Sequence, residues 1–141
     1  MIQRIQTIWL LLASAAAGST LFLSFFSGNK LMEDKLPGFV EATALSTLLT
    51  TVVFICVACT ALVLVFLFKN RKMQLWLTLG NTALSLLGIL LMWNHTAKYV
   101  AGQNRLDLTS MVYFTIPVFL LLAAGGIYKD EKLVKSMDRL R

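Results

Sequence analysis

The sequence predicts an all-α integral membrane protein, an up-down bundle of four transmembrane helices with a short cytoplasmic helical tail. Of its 141 residues, 57% are hydrophobic and 14% are charged, and the mean hydropathy is +0.74. Soluble domains carry about 25% charged residues. The composition therefore excludes a soluble enzyme, a disordered tail, a disulfide scaffold and a free nucleic-acid binder. Two further observations, the uncharged windows and the unequal division of basic residues, support the bundle.

Four long windows contain no charged residue. They are Ile5–Asn29, Ala42–Phe68, Met73–Ala97 and Leu108–Tyr128, with 25, 27, 25 and 21 residues. About 20 apolar residues in helix cross the hydrocarbon core of a bilayer. Only helices and closed β-barrels cross a bilayer, and the windows lack the alternating polarity of barrel strands. We therefore predict that they are helices. We predict one membrane domain over residues 1–141, with helices at about 5–28, 42–68, 73–96 and 109–128.

The connections between these windows are short. They are Lys30–Glu41, with a turn expected at Pro37-Gly38, then Lys69–Lys72, then Lys98–Asp107. Short connections place successive helices side by side and antiparallel.

The basic residues predict the orientation. Nine lie on one side of the predicted bundle: Arg4, Lys69, Arg71, Lys72, Lys129, Lys132, Lys135, Arg139 and Arg141. Four lie on the other side: Lys30, Lys35, Lys98 and Arg105. The positive-inside rule places both termini in the cytoplasm. The nine cytoplasmic residues form a candidate docking patch.

The tail, residues 129–141, has the pattern of a mixed-charge helix. Leu133, Val134, Met137 and Leu140 fall on one side of it. Two arrangements are open: the tail extends the fourth helix, or it lies along the membrane surface.

Polar and small residues inside the windows predict contacts between helices. Asn81 is the most polar side chain deep in a window, and at its depth the other helices offer Ser14 and Thr60. We expect Asn81 to bond one of these hydroxyls rather than a ligand, since such bonds hold membrane helices together. Pro117 should bend the fourth helix, and Gly125-Gly126 should let its end approach a neighbour closely.

No catalytic residue, cofactor site or metal site is predicted. Cys56 and Cys59 form a CxxC pattern, but at the depth of the bilayer centre a reactive thiolate is strongly disfavoured. His95 is the only histidine, and two sulfurs without histidine at their depth do not make a zinc site. Inside their apolar spans, the windows contain no Asp, Glu, Lys, Arg or His, the ionisable groups that mark coupled transport.

Three segments carry a resemblance to a known family: residues 1–7, residues 66–71, and Lys129–Arg141 with its closing Ser136-Met137-Asp138-Arg139-Leu140-Arg141. Together they resemble DUF4293, a family of small four-helix inner-membrane proteins of the Bacteroidetes. The resemblance implies a bacterial cytoplasmic membrane and an uncleaved first helix. It implies no activity, because the family has none assigned.

These patterns support two main hypotheses of function. The first is a non-enzymatic scaffold or accessory subunit that docks a cytoplasmic protein partner or anionic lipid on its basic face. The second is a bundle that binds or passes a small apolar molecule or lipid, through a cleft beside Pro117. A third and weaker reading is a thiol oxidoreductase that uses Cys56 and Cys59. Membrane lipids are expected partners, nucleic acid is not, and small residues on the first helix would also serve a homo-oligomer.

Overall fold

The computed structural model describes residues 5–31, 37–67, 70–97 and 104–138. These ranges contain four helices, three strands and one turn of 3₁₀ helix between β2 and α2. In chain order they are α1 (Ile5–Ser19), β1 (Ser24–Leu31), β2 (Pro37–Thr43), the 3₁₀ turn (Ala44–Ser46), α2 (Leu48–Phe66), α3 (Arg71–Thr96), β3 (Asn104–Leu106) and α4 (Ser110–Asp138).

The first predicted helix, at about 5–28, is wrong in its second half. α1 ends at Ser19, and its 15 residues are about 22 Å long. The chain then turns, and β1 begins at Ser24. Three of the helices, α2, α3 and α4 as far as Val134, are long and apolar enough to cross a membrane, whereas α1 is shorter.

The physical reason is a buried side chain from the far end of the chain. The Tyr113 hydroxyl oxygen lies 2.8 Å from the carbonyl oxygens of both Thr20 and Leu23. These carbonyls follow the last turn of α1, and a polar group buried in an apolar core requires a partner. Hydropathy alone does not distinguish the aromatic-rich segment after α1 from a membrane helix.

The sheet was not predicted. Its antiparallel strands have the order β2-β1-β3, and β1 pairs along its length with β2 from Ser24 opposite Thr43 to Leu31 opposite Pro37. The expected turn at Pro37-Gly38 is therefore wrong, because Pro37 opens β2. Proline is tolerated there because β2 is an edge strand in the described sheet. β3 lies in the segment that was expected to be a loop.

The other three helices correspond to predicted windows with shifted ends. α2 begins at Leu48 instead of 42, since Ala42 and Thr43 close β2 and the hydroxyls of Thr50 and Thr51 both reach the carbonyl of Ala44. α3 begins at Arg71. α4 continues without interruption to Asp138, so the first ten residues of the tail extend the fourth helix. Pro117 lies within α4.

The helices pack around one core. α1 contacts α2 and α4, and α3 contacts the same two helices. Neighbours are antiparallel where hydrogen bonds mark the register: in the α2–α3 pair, Thr47 lies opposite His95 and Leu64 lies opposite Gln74. At one end of the core, the Tyr113 ring packs edge-on against Phe25 at 5.0 Å and Phe54 at 5.3 Å. We call this end, which carries the strands, the sheet end.

α3 is polar on the inside and apolar on the outside. Its buried residues are mostly small or polar and recur every three or four positions: Gln74, Thr78, Asn81 with Thr82, Ser85, Gly88 with Ile89, and Met92. Its exposed face carries Trp76, Leu87 and Leu90. In water this distribution would be reversed, whereas small and polar residues commonly join helices in lipid. The described surface thus supports a membrane-embedded protein.

Candidate functional site

A cavity that joins charged and apolar side chains lies at the end of the helices opposite the sheet. It is a groove of about 690 Å³ between the start of α1 and the second half of α4. Its polar lining is Gln6, Arg71, Lys129 and Asp130, and its apolar lining includes Ile5, Trp9, Leu121, Leu122, Leu133 and Val134. We call it the α4 groove.

A third helix, α3, contributes a cation to the groove through the side chain of Arg71. As the first residue of α3, it reaches across to α4, where its Nη1 donates a hydrogen bond of 2.9 Å to the backbone carbonyl of Asp130. Lys129, the neighbour of Asp130, is exposed. Both cations line the same groove together with Asp130, so the charged lining has two cations against one carboxylate and offers hydrogen-bond donors above an apolar wall.

Gln6 supplies a polar group of another kind. The residue is 4% exposed, and its Oε1 is buried without a hydrogen-bond partner among the described residues. Buried amide oxygens are nearly always paired, so this oxygen is an exception among the described residues, and the Oε1 of Gln74 is another.

Two adjacent glycines of α4 shape the groove differently. A Cβ placed on Gly126 would lie 3.2 Å from the Cβ of Gln6, so the missing side chain permits the contact between α1 and α4. A Cβ on Gly125 would meet no atom within 4 Å. Gly126 is therefore a packing position, and Gly125 faces the open groove.

The structure brings together part of the predicted docking patch. Arg71 and Lys129 meet in the α4 groove, whereas Lys72 and Lys132 are exposed and do not line it. Lys135 belongs to α4. Four further members lie outside the described residues: Arg4, Lys69, Arg139 and Arg141.

Sequence reasoning missed Gln6. A single glutamine at the border of an uncharged window is usually solvated. The available signal was the close approach expected at Gly125-Gly126, but nothing in the sequence shows that the residue approached is Gln6. That contact joins positions far apart in the chain.

The structure brings Asn81 together with Thr60 and not with Ser14. The Thr60 hydroxyl donates to Asn81 Oδ1 at 2.6 Å, and Asn81 Nδ2 donates to the carbonyl of Val57 at 3.2 Å. Ser14 instead donates to the carbonyl of Ala58 at 3.1 Å. Asn81 is 3% exposed and links α3 to α2. Beside this pair lies a smaller apolar cavity of about 380 Å³, which Cys59, Trp76 and Gly80 also line.

The cysteines and the histidine do not form a common site. Cys56 and Cys59 are free thiols on the exposed side of α2. His95 Nε2 lies 2.9 Å from the Thr47 hydroxyl, where it joins α3 to the start of α2. Among the residues that the structure describes, no group of three histidine, cysteine, aspartate or glutamate side chains is placed to hold a metal ion.

Comparison with known proteins gives one match. Neither a curated protein nor a solved structure matches the chain. The family model described as Domain of unknown function (DUF4293) matches residues 2–140. Since this match covers nearly the whole chain, the protein belongs to the DUF4293 family.

Proposed function

We propose that the protein is a non-enzymatic membrane protein that binds an anionic phospholipid of the cytoplasmic leaflet in the α4 groove. The observation that carries the proposal is the meeting of two cations, Arg71 and Lys129, above an apolar wall. Such a groove has one polar end for a phosphate and one apolar end for acyl chains.

The proposal includes an up-down bundle in the bacterial inner membrane with both termini in the cytoplasm. The antiparallel register of neighbouring helices supports the bundle. The positive-inside rule supports the orientation, because the sequence assigns nine of the thirteen basic residues to this side, and two of them, Arg71 and Lys129, line the groove. The groove then opens at the level of the cytoplasmic headgroups.

The polar lining and the apolar lining of the α4 groove together fit a phospholipid. Guanidinium and ammonium groups donate charge-assisted hydrogen bonds to phosphate oxygens. Trp9 sits where an amphipathic ring favours the interface, and Leu121 and Leu122 continue from it into the apolar span. Each basic side chain near an anionic membrane surface contributes about 1 kcal/mol.

The test uses the full chain in a mild detergent. Phosphatidylglycerol and phosphatidylcholine with identical acyl chains are titrated in, and bound lipid is counted by native mass spectrometry. We expect preferential binding of phosphatidylglycerol. Lys129→Gln should weaken it about fivefold.

Matched variants locate the binding. Gly125→Leu should block the groove, whereas Gly18→Leu fills equally open space on α1 outside the groove lining and should bind like the wild type. Lys72→Gln removes an exposed cation outside the groove and controls for net charge. Equal binding of both lipids by the wild type, or full binding by Gly125→Leu, would refute the proposal. A protein partner captured only when residues 129–141 are present would point to docking instead.

A second candidate function is the binding of a small apolar molecule between α2 and α3. The apolar cavity beside Asn81 favours it. Pro117 does not line this cavity, so the cleft expected beside the proline has no support here. Gly80→Leu should abolish retention of a lipophilic dye if this cavity is the site, and unchanged retention would exclude the cavity.

A further inference from the structure

Three exposed apolar side chains surround the junction between the helices and the sheet. Phe22 lies in the turn after α1, Leu48 opens α2, and Leu108 lies in the turn before α4. They are 81%, 82% and 85% exposed, more than any other large apolar side chain among the described residues. We call these three residues the junction belt. Apolar side chains exposed together mark a surface that meets another molecule or a membrane.

Hydrogen bonds hold the three parts of the junction belt at one level. The N–H of Ala44, just before α2, donates to the carbonyl of Thr20 in the turn after α1, at 3.3 Å. The hydroxyls of Ser24, at the start of β1, and Thr109, just before α4, lie 3.2 Å apart. Because the three segments are joined in this way, the belt surrounds the junction at a single depth.

Charged side chains of the sheet lie further from the helices than the junction belt. In the register of the strands, Glu41 and Arg105 both lie opposite Ser27. The Asp107 carboxylate reaches the same row, since its Oδ1 accepts a hydrogen bond of 2.7 Å from the Ser27 hydroxyl. Ser27 follows Ser24 by three residues, which is about 10 Å along a strand. We call these residues opposite and bonded to Ser27 the charged row.

Resting on the proposed membrane bundle, we propose that the hydrocarbon core of the bilayer extends past the end of α1 into the sheet. Acyl chains of the leaflet at the sheet end cover the junction belt, and the water boundary lies at the charged row. This leaflet is the interaction partner to which the belt is fitted.

The lengths of the elements support this boundary. α1 covers about 22 Å of a hydrocarbon core of about 30 Å. The remaining distance of about 8 Å is close to the rise of β1 from Ser24 to Ser27. The uncharged window Leu108–Tyr128 gives the same limit from α4, because its 21 residues span about 30 Å.

Backbone groups at this depth require partners from within the protein, since hydrocarbon supplies none. The Tyr113 hydroxyl lies within hydrogen-bond distance of the carbonyls of Thr20 and Leu23 in the turn after α1. On the edge strand β2, the N–H of Thr43 donates to the Ser46 hydroxyl at 2.9 Å. These side chains take the place of the water that a turn or a strand edge would otherwise bind, so the junction is suited to lipid.

The alternative is a bilayer that thins to the length of α1 and leaves the belt outside the hydrocarbon. Spin labels distinguish the two arrangements, because molecular oxygen concentrates in hydrocarbon and a nickel chelate stays in water. The full chain is reconstituted in vesicles of dioleoyl phosphatidylethanolamine and dioleoyl phosphatidylglycerol. Each variant carries one cysteine, and the other native thiols are replaced by alanine.

Phe22→Cys and Leu108→Cys test the belt at positions that are exposed and tolerate a label. Arg105→Cys is the matched control, exposed on the same segment as Leu108 but in the charged row. Native Cys56, exposed within α2, marks the middle of the span. We expect oxygen collisions to exceed nickel collisions at both belt positions, as at Cys56, and the ratio to reverse at Arg105→Cys.

Nickel collisions in excess at either belt position, with Cys56 still protected, would overturn the inference and show a thinned bilayer. Oxygen collisions in excess at Arg105→Cys would also overturn it, because the boundary would then lie beyond the charged row. Nickel collisions in excess at Cys56 would overturn the membrane arrangement of the proposed function instead.

Discussion

The hydroxyl of Tyr113, on α4, lies 2.8 Å from the backbone carbonyl of Thr20, just past the end of α1. The tyrosine is fully buried, and the same oxygen is equally close to the carbonyl of Leu23. One side chain thus joins the fourth helix to the point where the first helix gives way to the sheet.

Tyr113→Phe should lower the free energy of unfolding by about 1–3 kcal/mol, because the ring stays packed while buried carbonyls lose their donor. Thermal unfolding in detergent, followed by circular dichroism, measures the loss. Tyr128→Phe is the control, since Tyr128 is exposed on the same helix and should be close to neutral. Equal melting of the two variants would show that the hydroxyl does not hold this junction.

The Asn81–Thr60 contact should appear as a coupling energy. Asn81→Ala and Thr60→Val each remove one partner, and their double-mutant cycle should give about 0.6 kcal/mol, the average for interhelical bonds in lipid. The measurement is unfolding by a denaturing detergent. A second cycle, with Asn81→Ala and Ser14→Ala, should give no coupling because Ser14 bonds the Ala58 carbonyl. Coupling of Asn81 to Ser14 without coupling of Asn81 to Thr60 would contradict the described geometry.

Two glycines of α3 should respond to alanine in opposite ways. A Cβ on Gly88 would lie 3.1 Å from both Phe54 Cζ and Val53 Cγ1, whereas a Cβ on Gly80 would meet nothing within 4 Å. Gly88→Ala should destabilise the protein by about 1–3 kcal/mol through overpacking. Gly80→Ala should be neutral or slightly stabilising, since alanine is the better helix former by about 1 kcal/mol. The comparison of their melting temperatures tests how closely α2 and α3 approach.

The exposed cysteines should react according to the solubility of the reagent. Cys56 and Cys59 are on the outer side of α2, in a segment that crosses lipid in the proposed arrangement. In liposomes, a charged maleimide should leave both thiols unmodified, whereas N-ethylmaleimide should modify them slowly. Intact mass measures the labelling. A Ser136→Cys variant, on the exposed last turns of α4, is the accessible control. Rapid labelling of the native thiols by the charged reagent would place α2 in water.

The sequence predicted some parts of the fold better than others, for physical reasons. α2, α3 and α4 were predictable because long apolar helices are a property of local composition. α1 was predicted too long because the uncharged segment around Phe25 has the hydropathy of a helix, and only the distant Tyr113 shows that it folds otherwise. The sheet depends on pairing between β1 and β3, which are about 80 residues apart.

The candidate site was predictable only in its charges. Arg71 and Lys129 were identified because basic residues at the ends of membrane helices follow a general rule. Gln6 was not, because its importance comes from enclosure by a helix more than a hundred positions away. The Asn81–Thr60 pair could be anticipated from depth alone, but depth does not choose between Thr60 and Ser14.

The inward polarity of α3 has a consequence for how the protein enters its membrane. Within its span, α3 has a mean hydropathy of 1.7, against 2.8 for α2. Inserted alone, α3 would carry the amides of Gln74 and Asn81 into hydrocarbon without partners, which is costly. α2 supplies both partners, through the carbonyls of Leu64 and Val57, and a short connection joins the two helices. We therefore expect α2 and α3 to enter a bilayer together as a hairpin, because each amide of α3 then keeps its partner on α2.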